Sequence, residues 1–254
     1  MKFIDTHAHM YDSSFEDDLD QVLKRAEAKG CSAIVSVSEN LDDALKNLEL
    51  AEKHKILFPG AGLFPTNLDI GQAEEMYKFI EANREKLVAI GEVGLDYWKV
   101  QEEEKREVQR QIFKGFIELA KRLGLVLNVH SRSAGRHVVS MLIEHNAQKV
   151  QLHGFDAKAS TATAGVEAGW FFSIPPSIVR SRQKQKLVKN LPLTNMLVES
   201  DSPVLGPDPK KRNEPANCTI ALEAIAEIKE ISLNKVAEQL FENSCRLYGK
   251  VPVC

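Results

Sequence analysis

The sequence predicts an α/β fold of the closed (β/α)8 barrel type, built as one domain over residues 1–254. Three observations predict it. Strand-like apolar runs alternate with amphipathic helical runs along almost the whole chain, the pattern of repeated βα units and a parallel sheet. Eight of these runs read as strands, and a chain of 254 residues is an ordinary length for one barrel. The polar side chains that carry chemistry fall at the C-terminal ends of the strands, where barrels keep their sites. A doubly wound open sheet is the rival, but the first βα turn, Thr6-His7-Ala8-His9-Met10, lacks the glycine fingerprint of a dinucleotide fold.

The elements run in order. Phe3 to His7 is the first strand, and the helical spacing of apolar residues from Asp17 to Lys29 gives the first helix. Ala33 to Val37 is the second strand, followed by a helix over Leu41 to His54. Leu57 to Ala61 and Val88 to Glu92 are strands three and four, with a helix over Ala73 to Arg84 between them. A long amphipathic helix, Glu102 to Arg122, leads to strand five, Val126 to His130. Helix Ser133 to His145, strand Val150 to His153, a short helix near Ser160 to Glu167 and strand Phe171 to Ile174 come next. Ser181 to Asn190 is helical and Met196 to Glu199 is strand eight. Two helices follow, with Ser232 as N-cap of the last and Gly249 as its stop.

Composition narrows the function classes. The hydrophobic content of 43% supports a large core, but no apolar run is long enough to span a bilayer. A strand begins right after Met1-Lys2, which leaves no room for a signal peptide, so the expected address is the cytosol or the nucleus. Cys31, Cys218, Cys245 and Cys254 show neither a CxxC pair nor a dense framework, so reduced thiols are expected, and Cys254 stands in the wrong place for prenylation. A net charge of −3 excludes a surface that is basic all over, so any polyanion must be held locally. Two basic runs offer that: Arg180 to Lys189, which also reads as the solvated face of a helix, and Lys210-Lys211-Arg212, which also reads as a flexible charged loop.

Six side chains at strand ends form a dispersed metal site. His7 and His9 are two apart, so an extended backbone presents both imidazoles to one side. Glu92, His130, His153 and Asp201 add two imidazoles and two carboxylates. This mixture implies two divalent ions per chain, with zinc or manganese fitting better than magnesium, which favours oxygen-only ligands. Singly, His130 or His153 reads as a hydrogen-bonded core histidine and Glu92 as a turn cap. Together, and all at strand ends, they read as ligands. His54, His137 and His145 lie in helical stretches without companions and stay outside the set. Asp5, two residues before His7, is expected to orient a ligand imidazole.

These residues resemble the TatD-type metal-dependent nucleases, from Phe3 to about Leu247. The resemblance rests on five ordered motifs: His7-Ala8-His9, Gly91-Glu92-Val93-Gly94-Leu95-Asp96, His130-Ser131-Arg132, His153-Gly154-Phe155 and Glu199-Ser200-Asp201-Ser202-Pro203. It implies a TIM barrel of the metal-dependent hydrolase type, with His7, His9 and Asp201 on one ion, His130 and His153 on the other, and Glu92 bridging. It implies a deoxyribonuclease of exonuclease type with nucleic acid as substrate, DNA or RNA, and no obligate protein partner. Two cations roughly 3.5 to 4 Å apart can activate water and stabilise both oxygens of an in-line displacement. Glu92 and Asp201 are the expected catalytic carboxylates, Asp201 also as acceptor of the water's proton.

Arg132, two residues after His130, is the expected contact to the substrate's anionic backbone, or else an ion pair that fixes its loop. One position departs from the family pattern. Where the family carries G-x-H-P, this chain reads Gly62-Leu63-Phe64-Pro65, so Phe64 is either a base-stacking contact or a pocket wall. Tyr97 and Trp98 carry the same two readings. Metal-activated water also attacks esters and amides, so a deacylase of mischarged aminoacyl-tRNA is the alternative activity.

Overall fold

A computed structural model describes residues 1–251, so Cys254 lies outside the described residues. Eight strands alternate with helices in the order the sequence predicts: β1 Phe3–Ala8, α1 Leu19–Ala28, β2 Cys31–Ser36, α2 Leu41–Lys53, β3 Leu57–Ala61, α3 Ile70–Asn83, β4 Ala89–Gly94, α4 Glu103–Leu123 and β5 Val126–His130. They continue with α5 Gly135–Glu144, β6 Val150–Leu152, α6 Ala159–Glu167, β7 Phe171–Ile174, α7 Arg182–Asn190 and β8 Met196–Val198, then α8 Cys218–Lys229 and α9 Leu233–Leu247. Each strand pairs in parallel with its successor, from β1 through to β8. Among the described residues no helix is long and apolar enough to cross a membrane.

Capping explains where the helices stop and start. In α4, Glu103 and Glu104 occupy the first turn and Lys121 and Arg122 the last, matching the helix dipole at both ends. Gly124 ends it at φ +66°, a left-handed residue whose N–H returns to the carbonyls of the last turn. Ser232 caps α9 by accepting from the Lys235 N–H, as expected, but the helix stops at Leu247, before Gly249. Helix α5 begins at Gly135 rather than Ser133, because Ser133 sits at φ +56° and its N–H donates to the Asp156 carboxylate. Cys31 and Cys218 are buried free thiols, as expected.

Period-two alternation along the strands stacks the barrel interior in layers. Val126, Phe171 and Leu197 share an apolar cluster with Ile4, Val35 and Ala89, sealed from below by Tyr248 and Val251, which follow α9. Two residues further along each strand stand Asn128, Ser173 and Glu199, joined by Gln151 in a polar layer. The Tyr248 hydroxyl donates to Gln151 (2.6 Å), Gln151 donates to Ser173 (2.8 Å) and Ser173 donates to Glu199 (2.5 Å). Two residues on again come His130, His153 and Asp201. The candidate ligands are therefore the top of a stack whose lower layers are apolar and then hydrogen-bonded.

The seam between β1 and β8 is held by side chains. Thr6 Oγ1 donates to the Val198 carbonyl (2.9 Å), and the Ser200 N–H and hydroxyl both donate to the Asp5 carboxylate (2.8 and 2.5 Å). Asp5 therefore anchors the turn that carries Asp201 and does not orient an imidazole. The cause is a register irregularity between Asp5 and Ala8, which removes the same-face relation of Asp5 to His7.

Candidate active site at the mouth of the barrel

All six expected ligands converge, and all are buried. His7 Nε2 and His9 Nε2 lie 3.3 Å apart, at 3.3 and 3.4 Å from Asp201 Oδ1. His130 Nδ1 and His153 Nε2 are likewise 3.3 Å apart. Glu92 stands between the pairs. Its Oε1 lies 2.6 Å from His130 Nδ1 and 2.7 Å from His153 Nε2, while its Oε2 lies 3.4 Å from His9 Nε2 and 3.7 Å from His7 Nε2.

Backbone geometry sets these positions. His9 and Asp201 lie just past the last residues of β1 and β8, and His153 just past β6, so strand ends deliver them while loops aim them. Asp201 adopts φ +53°, uncommon for a residue with a side chain, and its N–H donates to the His7 carbonyl (2.8 Å). The His9 N–H donates to Ser202 O (2.8 Å), tying both halves of the first ligand group to one turn.

Outer partners decide which ring nitrogen faces inward. Asn128 Oδ1 is 2.8 Å from His7 Nδ1, so that nitrogen carries the proton and Nε2 keeps its lone pair for the site. Asp96 Oδ2 does the same at His130 Nε2 (3.0 Å), leaving Nδ1 to face Glu92. The Tyr11 hydroxyl meets His9 Nδ1 at 3.2 Å. The Nδ1 of His153 is buried with no hydrogen-bond partner, 3.7 Å from Glu199.

The donor set fits a metal centre. Lone pairs on neighbouring imidazoles point at one another and at carboxylate oxygens, an arrangement only a shared proton or a cation can satisfy. Burial pushes His7 down, but the hydrogen bond to Asp201 and the charge of Glu92 outweigh it and hold the ring up at about 10. His130 rises to about 9 on the same balance, with Glu92 and Asp96 overcoming burial. Burial pushes Glu92 up, and the charges of His153 and His130 more than reverse that, holding it well below the carboxylate range. Three-donor groups suited to an ion include His7, His9 and Asp201 on one side and Glu92, His130 and His153 on the other.

Around the candidate ligands opens a cleft of about 410 Å³ whose walls include Phe64, Arg132, Lys184, Val204 and Leu205. Phe64 is half-buried and meets His130 edge to face, ring centres 5.0 Å apart. Arg132 is exposed and lies over the Trp98 ring at 3.7 Å, with no ion pair among the described residues, so the loop-fixing ion pair is not found. Tyr97 and Trp98 part ways. Tyr97 is buried, accepting from Arg110 (2.8 Å), whereas Trp98 is 51% exposed. The basic run in α7 is not wholly solvated, since Lys184 turns inward and is 8% exposed.

Sequence reasoning gave no role to Asn128 or Asp96, and it reached Lys184 only as one member of the basic run Arg180 to Lys189. Asn128 precedes His130 by two on the same strand face, and Asp96 closes the Gly91–Asp96 motif, so both carried a positional signal. Lys184 carried one only in the helical phase it shares with buried Leu187 and Val188.

An eight-stranded parallel barrel with a polyhistidine and carboxylate cluster at its mouth defines a metal-dependent hydrolase. The model of TatD-related DNases matches residues 4–249. The chain belongs to the TatD family. It is 43% identical over 260 residues to deoxyribonuclease TATDN3 of Homo sapiens, covering 98% of this chain and 95% of that one. It is 32% identical to the metal-dependent hydrolase YabD of Bacillus subtilis, covering 96% of this chain and 98% of the relative. Among solved structures, the TatD homologue YJJV of Escherichia coli superposes with a TM-score of 0.90 at 26% identity, covering 97% and 98% of the two chains.

Proposed function

We propose that this protein hydrolyses phosphodiesters of nucleic acid as a deoxyribonuclease, with two divalent ions held by His7, His9 and Asp201 and by His130 and His153, and Glu92 shared between them. One observation carries the reading: each oxygen of the Glu92 carboxylate faces one histidine pair. The name of the human relative supports DNA as the polymer. Zinc or manganese suits the mixed nitrogen and oxygen donors.

When bound, the metal pair would lower the pKa of water and withdraw charge from a phosphoryl oxygen. The chain's own groups do the rest. Asp201 is a buried carboxylate beside His7 and His9, available to accept the proton of the attacking water. Arg132 stands at the rim, where its charge draws the phosphate backbone inward. Phe64 offers a ring face or a wall to the base next to the scissile bond. Exonuclease action is part of this reading, with a strand end reaching the ligands at the floor of the cleft walled by Phe64, Val204 and Leu205.

The test is a panel of single-stranded DNA, RNA, an aryl phosphodiester and an acylated transfer RNA, run with defined metals. Diester turnover with DNA preferred is expected, and it should vanish in Glu92→Gln while the fold persists. Release of amino acid without diester cleavage would replace this reading with a deacylase. Wild-type rates in Glu92→Gln at unchanged metal content would sink the shared carboxylate.

A further inference from the structure

Lys184 is a cation in an unusual position. It lies in the first turn of α7, on the inward face with Leu187 and Val188, and its amine is buried in the wall of the active-site cleft. A buried ammonium normally has a carboxylate against it, because removing an unpaired charge from water costs several kcal/mol or more. Lys184 has none. Its Nζ donates to one neutral acceptor, the Gly154 carbonyl at 2.8 Å, and no ion pair to it exists among the described residues. An ammonium has three N–H groups, so two remain unspent.

The position of that amine is specific. Gly154 directly follows His153, so Lys184 is tied to the end of β6 beside the His130 and His153 pair. Arg132, just past the end of the neighbouring strand β5 and also without an ion pair among the described residues, lines the same cleft and lies on Trp98. The cleft is otherwise rich in carboxylates: Glu39, Glu92, Asp156 and Asp201 all line it. An anionic substrate entering such a cleft needs cations beyond any metal, and a desolvated ammonium with spare donors offers a strong, preorganised contact.

We propose that Lys184 is a substrate-binding residue that seats a phosphate oxyanion on the β6 side of the cleft and selects phosphate esters over neutral acyl esters. The inference rests on the cleft being the substrate site proposed above. It adds the group that recognises the phosphate and gives a physical reason for the choice of diester over acyl ester.

The experiment titrates inorganic phosphate, a 5′-mononucleotide and a short single-stranded oligonucleotide into metal-loaded wild-type protein, Lys184→Gln and Lys184→Met. Gln retains a donor for the Gly154 carbonyl and Met retains the length of the stem, while both remove the charge. Metal content and Tm are measured alongside. Binding of all three ligands should weaken by about tenfold or more, the loss of one charge-assisted hydrogen bond, with metal content unchanged. KM for an aryl diester should rise by a similar factor, and kcat should move less. Phosphate binding equal to wild type in both variants would overturn the inference. So would a deficit confined to the oligonucleotide, or loss of metal or fold in both variants, which would make Lys184 a strut for the β6 turn. A wild-type protein that binds phosphate through Lys184 yet cleaves no diester would refute the proposed nuclease activity and leave the phosphate contact standing.

Discussion

Asn128 holds His7 from behind: its side-chain carbonyl lies 2.8 Å from His7 Nδ1, while its amide donates to the Thr6 carbonyl and to the Tyr248 hydroxyl at 3.0 and 3.1 Å. One strand residue thus fixes the tautomer of a candidate ligand and ties the layer of candidate ligands to the polar layer beneath it. Replacing a partner of this kind typically weakens metal binding by about 10- to 100-fold. Asn128→Ala should lose metal affinity in that range in a competition titration against a chelator. It should also lower stability, since the buried groups it leaves unpaired cost about 1–3 kcal/mol each. Unchanged affinity would mean that the His7 tautomer is set elsewhere.

The same cluster predicts how the metal-free protein responds to pH. His7 and His130 have folded values of about 10 and 9 against an ordinary 6.5, so their stabilisation is complete below 6.5 and is lost as pH rises through 9 and 10. Glu92 and Asp201 lie below their ordinary 4.5 and 3.8, so their contribution is complete above those values and disappears as pH falls through the lower folded ones. Burial lifts Asp5 to about 7, which also favours the acid side of neutrality. The chelator-treated protein should therefore have its highest Tm between about pH 4.5 and 6.5. Added zinc should raise Tm more at pH 8 than at pH 6, because the ligands must shed protons to bind it. A chelator-treated Tm that climbs from pH 6.5 to 9 would contradict the balance of charges described here.

Arg132 separates substrate binding from stability. Its side chain is exposed and contacts Trp98 without an ion pair among the described residues, so Arg132→Ala should change stability by no more than about 0.5 kcal/mol. KM for a phosphodiester should rise steeply, and the dependence of binding on salt should flatten by roughly one ion. A destabilised variant with normal KM would assign Arg132 to the loop instead.

The barrel was legible because short apolar runs and amphipathic runs alternate without interruption, and the cluster at its mouth because five motifs stand at strand ends in fixed order. What stayed hidden depended on phase and register. Lys184 was not singled out within a basic run read either as a local anion contact or as a solvated helix face, because its inward phase appears only once Leu187 and Val188 are seen to be buried. Asp5 looked like a partner of His7 because sequence spacing cannot reveal the irregularity between Asp5 and Ala8. His153 and Asp201 come together with the other four candidates although neither lies within a strand, because the turn just past a strand still points into the barrel mouth.

Phe64 is the departure from the family pattern, and its place in the structure makes the consequence measurable. Its ring packs edge to face on His130 at 5.0 Å and stays half-exposed to the cleft, where a histidine side chain would reach the same space. An imidazole there can donate to a phosphoryl or leaving-group oxygen, help worth about 10²-fold when the geometry is right. Phe64→His should therefore raise kcat on a small aryl diester, with metal content unchanged. On single-stranded DNA the same change removes an aromatic face that can contribute about 1–3 kcal/mol per stacked base, so KM should rise there alone. A slower aryl reaction would show that the chemistry here has no use for the imidazole, and an unchanged KM for DNA would reduce Phe64 to a wall of the cleft.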